Sequence, residues 1–255
     1  MLLYDYPEYY EVAFSFRNIP DEAGFIDACI QQYSKVPVRS IFEVGCGPAP
    51  HAGELVKKGY RYVGLDINRT MLDHARYKWR HLDQTVELIE GDMAGFSYDK
   101  QVEFVYVMLG SLYLNGATEM TSHFNAISRI LKPGGLYFLD WCVQLSGSLS
   151  EAATNKYSIE RDGIAVESEF NIRLVDSDRQ MYEEIWSVNV NDHGRHKSFV
   201  MTERNRAMFP EEFLKFIADR DDFELVGWWR DWGMDKSIDQ ADESGRPVVL
   251  IRRVQ

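Results

Sequence analysis

Two glycines and one carboxylate are spaced as in a site for a ligand that carries a sugar. The run Ile41–Ala49 has the pattern of a buried strand that ends in a turn at Gly45 and Gly47 and then opens into a helix. Glycine lets the backbone turn tightly and approach a ligand, and the start of a helix adds partial positive charge. Asp66 ends the next predicted strand, about 20 residues later, where a carboxylate can accept hydrogen bonds from two ribose hydroxyls. The pattern therefore predicts a site for a nucleoside-bearing ligand.

The same spacing argues against a dinucleotide. A G-x-G-x-x-G fingerprint would need glycine at position 50, which is Pro50 here. Proline has no freedom at φ and leaves no room for a pyrophosphate to approach closely. An NAD-dependent oxidoreductase is therefore the weaker alternative for this turn.

The elements that must position these residues alternate between short β-branched runs and helical patterns, which is typical of a parallel sheet with crossover helices. We expect strands at Ser40–Val44, Tyr60–Leu65, Val86–Ile89, Phe104–Met108 and Leu136–Asp140, and helices at Asp21–Tyr33, His51–Lys58, Thr70–Arg80 and Ala117–Leu131. From about Tyr157 to Phe209 alternation predicts an antiparallel meander of three or four strands. A helix at Glu211–Asp219 and strands at Phe223–Trp228 and Pro247–Ile251 complete the prediction.

The fold class expected from these elements is α/β, a doubly wound and mostly parallel seven-stranded sheet with an inserted antiparallel β-meander. We expect residues 1–142 to form an N-terminal lid and the ligand-binding core, and residues 143–209 an inserted β cover on the substrate side. Residues 210–255 would supply the helix and the strand pair that complete the core sheet.

Composition limits the partners. The net charge of −12 repels phosphate backbones, which disfavours nucleic acid. The sequence has no apolar run long enough to cross a bilayer and no pattern of a signal peptide. The cysteines at positions 29, 46 and 142 have no metal-ligand spacing, so we expect no metal site and a reducing, cytoplasmic location. A small-molecule substrate and a monomer or homodimer are the expectations.

Taken in order, several short runs between residues 39 and 142 resemble class I S-adenosylmethionine-dependent methyltransferases of the small-molecule type. The run from Glu43 to Ala49 resembles their motif I, an acidic residue followed by x-G-x-G-x-G, with Ala49 in place of the third glycine. Gly91-Asp92-Met93 after the third strand and the Lys132–Gly135 turn before the fifth are similar to runs found in that family. The resemblance implies the Rossmann-like methyltransferase fold, with S-adenosylmethionine as cofactor and S-adenosylhomocysteine as product.

The resemblance also implies roles for individual residues. Ile67 would lie against the adenine, Asp92 would accept a hydrogen bond from its amino group, and the backbone of Met93 would meet the ring. The full set expected to bind the cofactor is Glu43, Gly45, Cys46, Gly47, Asp66, Ile67, Asp92, Met93, Met108 and Leu109. The activity implied is methyl transfer to a small molecule by in-line displacement.

The acceptor side is less defined. Ser111 and Tyr113 follow the central fourth strand, where substrates bind in such sheets, and are the candidates for contact with donor or acceptor. No catalytic base is assigned. The wider substrate-binding set is Tyr9, Tyr10, Ser111, Tyr113, Trp141, Trp186 and Arg204. Packing on the protein core is the competing interpretation for the tyrosines and tryptophans, and ion pairing at the surface is the one for Arg204.

Two further alternatives stay open. A catalytically inactive methyltransferase-like protein that binds or regulates would carry the same glycines and carboxylates. A protein or nucleic-acid methyltransferase is disfavoured, the latter by the acidic charge.

Overall fold

The computed structural model describes residues 2–143, 155–237 and 245–255. The described residues form twelve strands: β1 Ser40–Val44, β2 Arg61–Asp66, β3 Val86–Glu90, β4 Val102–Val107, β5 Leu131–Asp140, β6 Asn155–Arg161, β7 Ile164–Asp176, β8 Met181–Asp192, β9 Arg195–Arg206, β10 Phe223–Arg230, β11 Gly233–Ser237 and β12 Pro247–Arg253. Their α-helices are α1 Pro7–Ala13, α2 Ile19–Tyr33, α3 Ala52–Lys57, α4 Arg69–Lys78, α5 Ala117–Ile130 and α6 Pro210–Ala218. Two short 3₁₀ helices lie at Leu3–Asp5 and Arg80–Leu82. None of the helices in these described ranges has the length and apolar character needed to span a membrane.

The main sheet has the strand order β11-β10-β12-β5-β4-β1-β2-β3. Strands β1 to β5 pair in parallel, whereas β12 runs antiparallel to both β5 and β10. The order reverses beside β1, whose neighbours are β2 and β4. In open α/β sheets a crevice forms at this switch point, outside the carboxyl ends of the strands. The turn after β1 and the loop after β4 both lie at that crevice.

Both faces of the main sheet are covered, so its strands are almost continuously apolar. Side chains of β1 alternate between two cores: Phe42 packs with Phe124 of α5, and Ile41 packs with Ile26 of α2. All six residues of β4 are buried. A strand buried on both faces gives no alternating pattern, and this one was predicted from its apolar run and its position between helices.

The second sheet contains β6, β7, β8 and β9 in sequence order, all antiparallel. Its apolar face packs against the N-terminal segment, where Leu3 and Val12 contact a cluster that includes Trp186 and Phe199. At the other end of the sheet, Asn205 joins it to the loop after β4. The Asn205 amide oxygen accepts the Leu114 amide at 3.1 Å, and its nitrogen donates to the Leu112 carbonyl at 3.3 Å.

The predicted fold class is confirmed: a doubly wound, mostly parallel sheet, with four antiparallel strands between β5 and β10 in the chain. One detail of the prediction was wrong, because the main sheet has eight strands rather than seven. The additional strand, β11, pairs with β10 at two positions beside a bulge, and so short an edge strand leaves little signal in the sequence. Helix α1 was also not predicted, since seven tyrosine-rich residues show no clear helical period.

Asn205→Ala tests how the two sheets are joined. The change leaves two buried backbone groups of the loop after β4 without partners, and we expect it to lower the free energy of unfolding by about 2–4 kcal/mol. Asn189→Ala is the matched control, because Asn189 is exposed and accepts a hydrogen bond only from the exposed Ser198 hydroxyl among the bonds described for it. Urea unfolding curves would measure both variants, and equal losses would contradict this role of Asn205.

Candidate active site

The turn after β1 has the conformation that its glycines predict. Gly45 and Gly47 have φ of +66° and +52°, and Ala49 adopts +50°. The Cys46 amide donates to the Leu65 carbonyl at 2.9 Å, which ties the turn to the end of β2. A Cβ added to Gly47 would have no protein atom within 4 Å, so this side of the turn borders open space. A ligand can therefore approach the backbone there.

Gly45 faces the protein instead. A Cβ at this position would lie 3.3 Å from Met93 Cε and 3.8 Å from Ser111 Cβ. The turn is therefore in close contact with the loops that follow β3 and β4. Three predicted site residues from three separate stretches of sequence meet at this point.

Asp66 lies beside the turn, as its place at the end of β2 predicts. One carboxylate oxygen accepts the Gly47 amide at 2.7 Å and the other accepts the Asn68 amide at 2.8 Å. Burial raises the pKa of Asp66, and the bonds from the two amides act in the opposite direction. The Ile67 amide bonds to the carboxylate as well. The two oxygens of a carboxylate have about four acceptor positions, so the three amides do not exhaust them. Ile67, the next residue, is 68% exposed.

Glu43 is placed differently from the expectation for a cofactor ligand. Its carboxylate is buried beneath the turn, where it accepts hydrogen bonds from the hydroxyls of Tyr62 and Tyr106, the latter at 2.7 Å. His51 lies between Glu43 and Glu22, at 3.3 and 2.8 Å from their oxygens. Burial would lower the pKa of His51, but the Glu43 charge and the bonds to both glutamates outweigh it and raise that pKa. Glu43 thus supports the turn from below.

Cys46 and the helix after the turn also have structural surroundings. The Cys46 side chain is buried and its sulfur lies 3.7 Å from the Gly47 carbonyl oxygen. Helix α3 is only six residues long and begins at Ala52, beyond the turn. We therefore assign no anion-binding role to its N-terminus.

The loop after β3 is held by a histidine that sequence reasoning did not place here. His123 is fully buried and its two ring nitrogens lie 2.7 Å from the Met93 carbonyl oxygen and 2.8 Å from the Tyr137 hydroxyl. Burial lowers the pKa of His123 to about 4, so the ring is neutral at pH 7. Asp92 is exposed, and its carboxylate accepts the Ala94 amide at 2.8 Å.

The loop after β4 is anchored by Asp140, which sequence reasoning also missed. The Leu109 amide donates to the Asp140 carboxylate at 2.7 Å, and Leu109 has φ of +60°. Asp140 is completely buried and also accepts Arg246 Nε at 2.6 Å and Trp232 Nε1 at 3.1 Å. Met108 is buried just before this bend. The loop then carries Ser111 and Tyr113 away from the strand.

Tyr113 connects this loop to the second sheet. Its hydroxyl donates to Glu184 Oε2 at 2.9 Å. Tyr4, from the N-terminal segment, lies near Glu184 as well. Burial raises the pKa of Tyr4, and it is raised further by the nearby groups Tyr10, Glu203, Glu184 and Asp66. The N-terminal tyrosines therefore lie between the Asp66 side and the second sheet.

The other predicted substrate residues are more dispersed. Tyr10 lies close enough to Asp66 for that charge to help raise its pKa, after burial. Tyr9 instead donates to Asp192 at 3.0 Å. Trp186 is buried and stacks on Phe170 with ring centroids 4.9 Å apart.

The side chains of Trp141 and Arg204 do not contact this group of residues in any described bond, although the Trp141 backbone lies against Gly110 in the loop after β4. Trp141 is 46% exposed and its ring lies 5.9 Å from the Arg246 guanidinium. The Arg204 side chain is largely exposed and pairs with Glu183 at 3.1 Å. Because residues alternate along a strand, Arg204 faces away from the surface that carries Glu184 and Glu203.

His123→Asn tests the buried neutral ring. The pKa of His123 is near 6.5 in the unfolded chain and about 4 in the folded protein, so below pH 6.5 the unfolded state takes up a proton first. The histidine's contribution to stability is complete at pH 7 and falls as the pH drops toward 4. We expect the stability difference between wild type and variant to shrink by about 2 kcal/mol from pH 7 to pH 5.

Urea unfolding at the two pH values would measure this difference. His196→Asn is the control, because His196 is exposed on β9. A wild-type advantage that stays constant between pH 7 and pH 5 would contradict a neutral, buried His123.

Comparisons with known proteins agree with this geometry. Residues 41–135 match a family model described as a methyltransferase domain. The chain is 31% identical over 119 residues to a cypemycin N-terminal methyltransferase from Streptomyces sp, across 46% of this chain and 47% of that protein. The chain thus spans about half the length of the curated relatives that it matches.

Solved structures match along nearly the whole chain. An S-adenosylmethionine-dependent methyltransferase from Clostridium acetobutylicum has a TM-score of 0.77 at 17% identity, covering 96% of this chain and 95% of that one. An S-adenosylmethionine-bound amino pentose methyltransferase from Micromonospora echinaspora has a TM-score of 0.75 at 19% identity, covering 96% of both chains. At these identities the likeness establishes the fold. Residues 41–135 thus match a methyltransferase domain, and the chain has the fold of these S-adenosylmethionine-dependent methyltransferases, as the sequence predicted.

Proposed function

We propose that this protein transfers a methyl group from S-adenosylmethionine to a small-molecule acceptor. The observation that carries the proposal is the open space beside Gly47, bordered by the Asp66 carboxylate with acceptor capacity to spare. A side chain at position 47 would project into that space. The residues present therefore fit a nucleoside-bearing cofactor.

The position of this open space indicates which residues would bind each part of the cofactor. The backbone around Gly45 and Gly47 would lie along the amino-acid part of the cofactor, and Asp66 would accept hydrogen bonds from the ribose hydroxyls. Exposed Ile67 would be covered by the adenine, with Asp92 and the Met93 backbone at its edge. Met108 and Leu109 border the same crevice, whereas Glu43 and Cys46 would act by shaping the turn.

In the bound cofactor a sulfonium makes the methyl group electrophilic. The chain's own task is to hold the acceptor in line with that methyl group and to exclude water. Positioning of this kind can lower a barrier by about 7–11 kcal/mol. Ser111 and Tyr113, on the loop after β4, are placed to contact the acceptor. The rings of Tyr4 and Tyr10 are suited to lie beside a cation.

The acceptor is proposed to be small because of what surrounds the crevice. The N-terminal segment packs on the second sheet, and Asn205 fixes that sheet to the loop after β4. In this proposal residues 1–142 form the lid and cofactor core, residues 143–209 a cover, and residues 210–255 the rest of the core. Two of the similar proteins are named for their acceptors, as an amino pentose methyltransferase and a cypemycin N-terminal methyltransferase.

The acidic charge disfavours nucleic acid as acceptor. The three cysteines are free, which suits a reducing cytoplasm. We propose a cytoplasmic monomer or homodimer.

Asp66→Ala tests the cofactor site. Loss of the acceptor for the sugar hydroxyls should weaken binding of S-adenosylhomocysteine by about 1–3 kcal/mol, or roughly 5- to 150-fold in Kd. Calorimetric titration measures it, with Asp73→Ala as control because Asp73 is exposed on α4. Equal affinities of the two variants would remove Asp66 from the site.

Transfer itself is tested with isotopically labelled S-adenosylmethionine and a metabolite extract. We expect label in at least one small molecule with wild-type protein and much less with Asp66→Ala. Tight binding of S-adenosylhomocysteine without any labelled product would identify a binding protein instead of an enzyme.

A further inference from the structure

The inward face of the second sheet is mainly apolar but carries two carboxylates that face each other across neighbouring strands. Residues that alternate along β8, such as Tyr182, Trp186 and Val188, are buried. Glu184 belongs to the same face and is directly opposite Glu203 on β9. Cross-strand partners lie about 5 Å apart at Cβ, and like charges at that position repel. The fold therefore keeps two charges together at a cost.

These carboxylates lie between two firmly packed regions. On one side Trp186 and Met201 contact the N-terminal segment, and on the other Tyr182 and Asn205 contact each other and the loop after β4. The glutamates thus occupy the part of the face between these contacts, opposite Tyr113. The Tyr113 hydroxyl donates to Glu184 at 2.9 Å. Tyr113 follows the end of β4, and acceptors bind at such strand ends in parallel sheets.

No lysine, arginine or histidine among the described residues neutralises Glu184 or Glu203. Burial raises the pKa of Glu184, the bond from Tyr113 lowers it, and Glu203 raises it further. Burial raises the pKa of Glu203 as well. Glu183, the neighbouring residue on the opposite face, makes the contrast clear, since it pairs with both Arg173 and Arg204. Among the described residues, arginines therefore pair with Glu183 on the outer face but not with Glu184 or Glu203 on the inner face.

We propose that the acceptor is an amine, bound as its ammonium form between Glu184 and Glu203, and that Glu184 is the catalytic base. The inference rests on the proposed methyl transfer. The Glu184 carboxylate takes one proton from the ammonium group and frees the nitrogen lone pair. That pair forms the new N–C bond while the S–C bond of S-adenosylmethionine breaks and leaves its electrons on sulfur as a thioether. The product leaves as a methylammonium ion, and Glu184 releases its proton to solvent.

Tyr113 is a positioning residue in this scheme. Its hydrogen bond fixes one Glu184 oxygen and leaves the other for the ammonium group. Glu203 supplies the second charge and selects for cations. An alcohol or thiol acceptor would bring no positive charge to this pair, so the arrangement favours amines over both.

The atom that is methylated can be read directly. Wild-type protein is incubated with S-adenosylmethionine carrying a ¹³C methyl group and a metabolite extract, and carbon NMR separates N-methyl from O-, S- and C-methyl signals. An N-methyl signal supports the proposal. Label on oxygen, sulfur or carbon overturns the amine assignment but leaves methyl transfer intact. Absence of label from every molecule overturns the transfer, and the inference with it.

Variants then test the two glutamates on the amine identified. Glu184→Gln should lower kcat by about 100-fold or more, because it removes the base. Glu203→Gln should act mainly on binding and raise KM by about 10-fold with kcat little changed. Glu183→Gln is the matched control on the outer face and should leave both constants within about 2-fold.

Titration with S-adenosylhomocysteine separates these effects from damage to the cofactor site. We expect all three variants to bind it with wild-type affinity, because these glutamates lie on the acceptor side. A Glu184→Gln variant that keeps wild-type kcat would overturn the assignment of Glu184 as base. A comparable loss of kcat in Glu183→Gln would show that any glutamate change in this sheet lowers kcat. That result would also overturn the assignment of Glu184 as base.

Discussion

The carboxylate of Asp66 accepts the amide of Gly47, and this bond ties the turn after β1 to the end of β2 at the point where the sheet order reverses. The turn needs glycine at positions 45 and 47 because both have positive φ. The Cys46 amide adds a second tie to β2. With the turn fixed from its side, the backbone around Gly47 stays open to the crevice. Everything proposed about cofactor binding depends on that opening.

Buried polar groups support the crevice from outside it. Glu43, His51 and Glu22 lie beneath the turn, His123 holds the Met93 carbonyl, and Asp140 holds the Leu109 amide. His123 and Asp140 bond directly to loop backbone, whereas Glu43, His51 and Glu22 bond to one another and to neighbouring side chains. Three separate loops are thereby kept at fixed positions relative to one another. Such preorganisation suits a reaction whose barrier is lowered mainly by positioning.

The second sheet and the N-terminal segment give the crevice a different chemical character on its far side. In the proposed site the cofactor half would be formed by backbone amides and one carboxylate, and the acceptor half by tyrosines and the two glutamates of the second sheet. Tyr113 spans the two halves, since it follows β4 of the main sheet and contacts β8 of the second. In this proposal the methyl donor and the methyl acceptor would contact different parts of one site.

The sequence predicted those parts of the fold whose signals are local. Apart from β11, the strands of the main sheet come from patterns within a few residues, as do the β1 turn and the long antiparallel strands. Their positions agree with the structure to within about five residues. The place of Asp66 beside the turn was predicted from its position at the end of β2, about 20 residues after the glycines.

What the sequence did not predict depends on distant partners. Arg246 and Asp140 are 106 positions apart, and Tyr113 and Glu184 are 71 apart, so no local pattern marks either pair. Glu43 was assigned to the cofactor from its motif, but its partners Tyr62 and Tyr106 come from neighbouring strands and hold it beneath the turn. Arg204 was placed on the substrate side although strand alternation puts it on the outer face, and the register needed to see this came only with the structure.

A crystal structure of the protein with S-adenosylhomocysteine tests the cofactor site most directly. We expect the amino-acid part of the ligand along the backbone at Gly45 and Gly47, with both ribose hydroxyls donating to the Asp66 carboxylate. A ligand bound elsewhere, or an Asp66 carboxylate that gains no partner beyond the Gly47, Ile67 and Asn68 amides, would contradict the assignment.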